Sequence, residues 1–220
     1  MKVGTDGVLL GAWVTVEAAA RRILDVGAGT GLIAIMLAQR SPLAQIDAVE
    51  VDEAAAAQAR QNAECSPWAS RLNIVHQNFN DFARTATSRY DLIVSNPPYF
   101  KKSLTSPNRR RTTARHTEDL LHEELISGSL RLLSERGKLA VIMPCAEGNI
   151  FIALAANAGL YCRRKLNVFT KKGCPAKRLL MEFSRSKQPL CEQNLYIETT
   201  APSSFTAEYQ TLTRDFYLKF

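Results

Sequence analysis

Cysteine is scarce in this sequence and is not arranged as metal sites or disulfide frameworks require. The 220 residues include five cysteines, at positions 65, 145, 162, 174 and 191. No two of them are spaced as C-x-x-C, and their number is odd. Regular paired spacing is typical of zinc sites and of small disulfide-rich domains. We therefore expect reduced thiols, no zinc site and no disulfide framework.

Long apolar runs are also missing. The longest run near a predicted strand or helix, Leu32–Ala38, has seven residues, whereas a helix needs about 20 to cross a bilayer. The first residues, Met1–Asp6, contain no apolar stretch of the kind that a secretory signal carries. We expect a cytoplasmic protein that has no membrane partner and no metal, and we expect it to be a monomer.

Acidic residues are too few in the second half of the chain to balance its basic residues. Residues 1–100 contain 8 Lys/Arg and 10 Asp/Glu, whereas residues 101–220 contain 20 Lys/Arg and 11 Asp/Glu. The halves therefore carry net charges of −2 and +9, which together give the +7 of the whole chain. A neutral half followed by a basic half favours a core with a cationic face for a polyanion such as a nucleic acid. General solubility charge is the alternative.

Apolar strand-like runs alternate with helical stretches along the chain. Strands are predicted at 23–26, 45–50, 72–76, 90–95, 138–143, 160–169 and 178–183, and helices at 31–39, 53–65, 117–133 (stopped by Gly137) and 147–158. Such alternation is typical of a mostly parallel sheet with helices on both faces. We predict an α/β fold in one domain over residues 1–220, with basic loops near 101–116 and 170–177.

A glycine-rich turn, Asp25-Val-Gly-Ala-Gly-Thr-Gly31, joins the first predicted strand to the first helix. Glycine allows positive φ and close approach of a ligand, and ligands of such sheets lie at the carboxyl ends of the strands. The looser nicotinamide fingerprint G-x-G-x-x-A also fits this turn, so an oxidoreductase is one candidate. Asp25 suits a cationic amino group better than a pyrophosphate, and Glu50, which ends the second strand, can accept both hydroxyls of a ribose. With Gly27, Gly29 and Gly31 these acids resemble the S-adenosylmethionine site of Rossmann-like methyltransferases.

Asn78 and Phe79 follow the third predicted strand. Methyltransferases of this class often have an acidic residue at the first of these positions, hydrogen-bonded to the adenine amino group of the cofactor. An amide oxygen can also accept that bond, so we assign Asn78 to the cofactor site. The Phe79 ring can pack on the adenine face, although a role as a core aromatic is nearly as well supported.

The segment Asn96-Pro97-Pro98-Tyr99 ends the fourth predicted strand. Prolines stop a strand and leave carbonyl oxygens outside any ladder. The Asn96 side-chain oxygen and the Pro97 carbonyl can each accept one N–H of an exocyclic amine, which favours a tetrahedral nitrogen with an available lone pair. Tyr99 can stack on a flat substrate and orient it. The segment resembles the amino-methyltransferase motif, [DNS]-P-P-[YFW], which occurs at this place in that family.

Motifs of this type serve adenine N6, guanine N2 and the side-chain amide of glutamine. Glutamine methyltransferases of the release-factor type carry a helical domain before the glycine turn, and only 24 residues precede Asp25. DNA adenine methyltransferases usually carry a separate target-recognition domain, for which we expect no room after residue 100. RNA, including ribosomal RNA, is the remaining substrate class. A non-catalytic RNA-binding module is a further alternative, against which the intact motif argues.

Six segments resemble the bacterial tRNA(Val) adenine-37 N6-methyltransferase family in order and spacing. They are KVGTDGVLLGAW at 2–13, DVGAGTG at 25–31, AVEVD at 48–52, SPW at 66–68, SNPPYF at 95–100 and DFYL at 215–218. The resemblance implies a class I methyltransferase fold with an antiparallel C-terminal strand, S-adenosylmethionine as cofactor and methylation of the adenine 3′ of the anticodon. It also places Thr5 and Asp6 beside the methionine end of the cofactor. Family members begin further upstream, so we expect either a naturally short or a truncated chain.

A basic segment without acids follows the NPPY motif directly. Its cations are Lys101, Lys102, Arg109, Arg110, Arg111 and Arg115. A target base must be unstacked to enter an active site, and phosphate contacts would position its RNA strand. We therefore predict that this loop binds tRNA. A second candidate patch comprises Arg163, Arg164, Lys165, Lys171, Lys172, Lys177 and Arg178.

Overall fold

The computed structural model describes residues 4–98, 122–201 and 204–218. Its strands are β1 (Arg22–Val26), β2 (Gln45–Glu50), β3 (Leu72–His76), β4 (Tyr90–Ser95), β5 (Leu133–Pro144), β6 (Tyr161–Phe169), β7 (Ala176–Ser184) and β8 (Cys191–Tyr196). Its helices are α1 (Thr5–Trp13), α2 (Leu32–Arg40), α3 (Glu53–Glu64), α4 (Phe79–Thr85), α5 (122–132), α6 (Cys145–Asn157) and α7 (Ala207–Thr213). A short 3₁₀ helix, Ala69–Arg71, precedes β3.

The strands form one mixed sheet in the order β3-β2-β1-β4-β5-β7-β6-β8. The first five strands in this order are parallel. Strand β7 is antiparallel to both β5 and β6, and β8 is parallel to β6. The predicted Rossmann-like fold with an antiparallel C-terminal strand is therefore confirmed. The carboxyl ends of β1, β2, β3 and β4 meet at one edge of the sheet, which we call the carboxyl edge.

Alternate residues of the central strands face two separate cores. Leu92 and Val94 of β4 lie in one core with α1, α2 and α7, whereas Ile93 lies in the other with α4, α5 and α6. Strand β5 divides in the same way, with Ile142 in the first core and Val141 in the second. Burial on both faces explains why these strands appear as continuous apolar runs in the sequence.

Helix α1 and the end of the chain pack together, and neither was predicted as an element. Met36 of α2 lies so close to α1 that a Cβ at Gly11 would stand 2.8 Å from its side chain. Phe216 and Tyr217 pack against the small cluster that Val8 of α1 forms with Met36. Two of the segments that resemble the tRNA methyltransferase family, those at 2–13 and 215–218, therefore pack against each other in the fold.

Two predicted boundaries need correction. Strand β5 begins at Leu133 rather than at 138, and Gly137 lies inside it rather than stopping α5. The β4–β5 register shifts between Tyr90 and Leu92, and a Cβ at Gly137 would stand 2.6 Å from the Tyr90 carbonyl oxygen. Glycine is thus required by this close approach in an irregular strand pair. Among the described residues, no helix has the length and apolar character needed to cross a membrane.

Candidate active site

A cavity of about 210 Å³ opens at the carboxyl edge, between the turns that follow β1, β2, β3 and β4. Its described lining comprises Val26, Gly27, Val49, Val51, Gln77, Asn78, Phe79, Asn80, Ser95, Pro97, Pro98, His122, Glu124, Leu125 and Glu147. The glycine turn, the Asn78–Phe79 pair and the two prolines, which are far apart in sequence, therefore surround one space. Parallel strands produce this arrangement because their carboxyl ends share an edge.

The glycine turn and the proline turn are held side by side. Val26 and Ser95 are register partners in the β1–β4 pair, so Gly27 and Asn96 follow at the same level. The Ser95 hydroxyl donates a 2.8 Å hydrogen bond to the Val26 carbonyl oxygen. Ser95 is buried, so this bond fixes the distance between the two turns at the cavity. Sequence reasoning did not single out Ser95.

The three glycines of the turn all have positive φ, but their surroundings differ. Gly27 has φ of 71° and open space where a Cβ would stand, and it lines the cavity. Gly31 has φ of 82° and lies against Ala59 of α3, which a Cβ would approach to 3.4 Å. Gly29 has φ of 56°. The structure thus associates Gly27 with the ligand space and Gly31 with close packing of two helices.

The Glu50 carboxylate organises the backbone around the end of β2. One oxygen accepts a 2.7 Å hydrogen bond from the Gly29 amide, and the other accepts 2.9 Å bonds from the amides of Val51 and Asp52. A carboxylate has about four acceptor sites, so capacity for a ribose hydroxyl remains. Glu50 therefore joins the glycine turn to the start of α3. It is buried and is not part of the described cavity lining, although its neighbours Val49 and Val51 are.

Asp25 is completely buried beneath the glycine turn. Its Oδ2 accepts a 3.0 Å hydrogen bond from the Ala34 amide, and its Oδ1 has no hydrogen-bond partner among the described residues. Burial raises the pKa of Asp25 to about 7, the Ala34 bond opposes the rise, and the nearby negative charge of Glu50 adds to it. A cation at Oδ1 would favour the ionised form.

Ionisation of Asp25 is expected to destabilise the folded chain as the pH rises. Its folded pKa of about 7 lies above the ordinary value of 3.8, so its favourable contribution is complete below about pH 4 and is lost as the pH rises through 7. Compared with Asp25→Asn, the wild type should lose about 2–3 kcal/mol of unfolding free energy between pH 5 and pH 8. Urea unfolding of both proteins at the two pH values measures this difference. If the unfolding free energies of the two proteins change equally between these pH values, the pKa of Asp25 is not raised in the folded chain.

Asn78 and Phe79 both line the cavity, and both also have structural partners. Asn78 is the N-cap of α4, with Oδ1 accepting a 2.8 Å hydrogen bond from the Asn80 amide. Phe79 packs against the core beside α5, where a Cβ at Gly128 would stand 2.5 Å from its ring. Because Gly128 has no side chain, the Phe79 ring can pack against α5 and form part of the cavity wall. Sequence reasoning missed both the cap and Gly128.

Thr5 and Asp6 begin α1 at the same edge of the sheet, outside the described cavity lining. The Asp6 carboxylate accepts a 2.8 Å hydrogen bond from Nε of Arg178, which pairs with Pro144 at the carboxyl end of β5. Part of the Asp6 charge is thereby neutralised. Tyr99 and the basic segment 101–115 lie outside the described residues.

Side chains from α5 and α6 complete the cavity wall, and sequence reasoning missed them. The same cavity is lined by His122 and Glu124 of α5 and by Glu147 in the first turn of α6. The His122 ring packs edge-on against Phe151, with centroids 5.5 Å apart. Glu147 comes shortly after the end of the fifth strand, and Asn96 comes directly after the end of the fourth. A polar residue just beyond the carboxyl end of a predicted parallel strand is a candidate site residue, so Glu147 could have been proposed from the sequence.

The residues at this edge fit S-adenosylmethionine, the cofactor that the resemblance implies. The unpartnered buried Oδ1 of Asp25 offers a negative partner for a cationic group. Glu50 keeps acceptor capacity for one hydroxyl. The Val51 and Phe79 side chains offer an apolar wall for a flat ring. Open space at Gly27 allows a ligand to approach the backbone.

Gly27 provides a test of this ligand space, with Gly159 as its matched control. Both glycines have positive φ, 71° and 88°, and both have open space at Cβ, but Gly159 lies at the α6–β6 turn. Alanine should cost about 1–2 kcal/mol of stability at either position. Only Gly27→Ala should also weaken S-adenosylmethionine binding, by about tenfold, because its methyl group enters the cavity. Isothermal titration of both variants checks this, and equal affinities would argue against ligand contact at Gly27.

Comparison with known proteins identifies the family. A family profile described as "Methyltransferase small domain" matches residues 6–149. Proteins named tRNA1(Val) (adenine(37)-N6)-methyltransferase from Bacteroides fragilis and Trichodesmium erythraeum are 50% and 47% identical to this chain, and the alignments cover all of it and 92% of each relative. The oxidoreductase alternative is therefore wrong.

Solved structures agree on the fold. A structure described as a predicted O-methyltransferase from Agrobacterium tumefaciens superposes with a TM-score of 0.78 at 20% identity, over 96% of each chain. TrmN from Thermus thermophilus superposes with a TM-score of 0.56 at 20% identity, over 76% of this chain and 44% of that one. Family and fold together give S-adenosylmethionine as the methyl donor. The chain belongs to the methyltransferase small-domain family and, within it, to the tRNA1(Val) (adenine(37)-N6)-methyltransferase group.

Proposed function

We propose that this chain methylates N6 of adenine 37 in a valine tRNA, as the names of its relatives state for those proteins. The structural observation that supports the proposal is the shared cavity of the glycine turn and the proline turn, held together by the bond from Ser95 to Val26. A donor bound at Gly27 and an amine bound at Asn96 would therefore be neighbours. A tRNA substrate also favours a cytoplasmic location.

Bound S-adenosylmethionine supplies a methyl group activated by a sulfonium charge. The chain's own contribution is to orient the amine. We assign the Asn96 side-chain oxygen and the Pro97 carbonyl oxygen as acceptors for the two N–H groups, which frees the nitrogen lone pair from conjugation with the ring. Tyr99 is assigned to stack on the base. Catalysis then depends on positioning and preorganised polar groups rather than on a strong general base.

The cofactor end of the site is assigned to residues on the first three strands. Glu50 would accept a hydrogen bond from a ribose hydroxyl, Asn78 would accept one from the adenine amino group, and Phe79 would cover the ring. Asp25 is assigned to balance the positive charge of the amino group at the methionine end of the cofactor. Its buried Oδ1 has no hydrogen-bond partner among the described residues. Thr5 and Asp6 begin the helix that packs over α2, and we assign them to the same end.

Unmodified valine tRNA transcripts carrying adenine or guanine at position 37 test the proposal. With S-adenosylmethionine, the wild-type chain should form N6-methyladenosine only in the adenine-37 transcript, as measured by mass spectrometry of digested nucleosides. Ribosomal RNA and a glutamine-containing release factor serve as competing substrates in parallel reactions. Methylation of the guanine-37 transcript, or preference for one of the competing substrates, would overturn the assignment.

A further inference from the structure

Basic segment 163–178 does not form one surface, because a hairpin divides it between opposite edges of the sheet. Strand β6 runs in the direction of β5, since β7 is antiparallel to both. Arg164, near its start, therefore lies where the parallel strands begin, which we call the amino edge, and Phe169 ends β6 at the carboxyl edge. Arg164 and Lys171 are seven residues apart, which corresponds to about 23 Å of extended chain.

Two cations of the first half of this segment, Arg164 and Lys165, are engaged with other groups of the protein. One Arg164 nitrogen donates to the Trp13 carbonyl at 3.1 Å and to the Thr15 hydroxyl at 2.9 Å, and its guanidinium lies 4.2 Å from the Trp13 ring centre. It also pairs with the buried Glu182. Lys165 pairs with Glu192 at 2.8 Å. These groups stabilise the amino edge and the β6–β8 pair.

The second half presents its lysines to solvent at the carboxyl edge. Lys171 and Lys172 are exposed in the β6–β7 turn, beside Gly173 with φ of 87°. Lys177 is exposed at the start of β7. We call Lys171, Lys172 and Lys177 the tip lysines. Glu198, which bonds the Thr170 carbonyl through its amide, is a neighbouring acid, so the tip keeps a positive balance.

Ring stacking and backbone hydrogen bonds at the ends of β6 and β8 hold the β6–β7 turn that carries the tip lysines. Phe169 and Tyr196 are register partners at the ends of β6 and β8, and their rings stack with centroids 4.9 Å apart. The amides of Ile197 and Glu198 continue the pairing to the carbonyls of Phe169 and Thr170 at 3.0 and 2.8 Å. A surface that is already ordered loses less conformational entropy when a partner binds.

The tip also lies at a useful distance from the candidate active site. The strand order places β5 and β7 between β4, which carries the proline turn, and β6. Three strand spacings amount to about 14 Å. An RNA strand whose base enters the cavity would pass over this same edge, so the phosphates a few nucleotides away would come within reach of the tip.

We propose that the tip lysines bind the phosphate backbone of the tRNA beside the inserted base. The inference rests on the proposed function and adds a surface to it. Phosphate contacts from lysines carry no sequence information but fix the register of the RNA on the enzyme. They release counterions on binding, so they are detected by the salt dependence of affinity.

The test compares two triple variants with equal loss of charge. The tip variant replaces Lys171, Lys172 and Lys177 by Ala. The control replaces Arg21, Arg89 and Arg136 by Ala, three exposed cations near the starts of β1, β4 and β5 at the amino edge. Filter binding of valine tRNA at several salt concentrations measures both. The tip variant should bind about tenfold more weakly at 0.1 M salt, with a slope of log K against log salt reduced by about two.

Kinetics separate this surface from the proposed reaction. The tip variant should have a raised KM for tRNA, nearly unchanged kcat and unchanged S-adenosylmethionine affinity, whereas the control should resemble wild type. If the wild type methylates adenine 37 and the two variants give the same binding slope, the tip assignment is overturned and the proposed function stands. If the wild type binds tRNA without methylating it, the proposed function fails while the slopes still decide the tip assignment. A wild type that does not bind tRNA overturns both.

Discussion

Replacing Asn96 by Ala is expected to reduce kcat for tRNA methylation by about 100-fold or more, with S-adenosylmethionine affinity nearly unchanged. The reason is that Asn96 is assigned to the amine and not to the cofactor. Loss of one preorganised polar group at a reacting centre typically has an effect of this size. Single-turnover methylation of the adenine-37 transcript gives the chemical rate directly, and calorimetric titration gives the cofactor affinity.

A matched substitution distinguishes the acceptor role of Asn96 from its role in shaping the turn. Asn96→Asp keeps an oxygen acceptor of similar size, and aspartate occurs in the motif [DNS]-P-P-[YFW], so this variant should retain far more activity than Asn96→Ala. Both variants should fold, because Ser95 still holds the end of β4 through its bond to Val26. A wild-type single-turnover rate in Asn96→Ala would contradict the assigned mechanism.

The position of the cavity could be predicted from the sequence because it depends on local patterns. Apolar runs at 23–26 and 90–95 correspond to β1 and β4. The glycine turn indicates the end of β1, and the prolines indicate the end of β4. Once strands are parallel, their carboxyl ends must lie together. The cavity shared by Gly27 and Pro97 is the consequence.

Elements that depend on tertiary contacts did not follow from the sequence. Helix α1 contains Gly7 and Gly11, which lower helix propensity, and it forms against α2 because these glycines allow Leu32 and Met36 to approach. Strand β8 has largely exposed residues and no apolar alternation. It is held by edge pairing with β6 and by side-chain bonds such as that from Asn167 to Glu192 at 2.7 Å.

Side chains whose structural contacts differ from the role that the sequence suggests were the hardest part of the site to predict. Asn78 was interpreted as an acceptor for the cofactor, which stays a prediction, and the structure shows that it caps α4. Gly31 was grouped with the ligand-binding glycines, and it lies against Ala59 of α3. A local pattern specifies the residue type needed at a position, but several contacts can require the same type, and only the fold reveals which contacts are made.

Replacing Glu50 by Ala is expected to weaken S-adenosylmethionine binding by about 2–3 kcal/mol, or roughly 30- to 150-fold, the range for charge-assisted hydrogen bonds. The same change removes the acceptor for the amides of Gly29, Val51 and Asp52. Stability should therefore fall as well, by about 1–3 kcal/mol in total, because these amides lose a charged acceptor. The loss is limited because Val51 and Asp52 are exposed, so that water can replace part of it. Calorimetric titration well below the unfolding temperature of the variant measures the affinity.

Asp52→Ala is the control that separates lost cofactor contact from local unfolding. It removes the α3 cap, in which Asp52 Oδ1 accepts a 2.7 Å bond from the Ala55 amide, and should cost about 1 kcal/mol of stability. It leaves the Glu50 carboxylate in place, so cofactor affinity should stay within about twofold of wild type. If both variants lose affinity for S-adenosylmethionine in proportion to their loss of stability, Glu50 acts only as the acceptor that shapes the glycine turn. The same conclusion follows if Glu50→Ala binds the cofactor as tightly as the wild type does. If Glu50→Ala alone loses affinity, the carboxylate holds the cofactor.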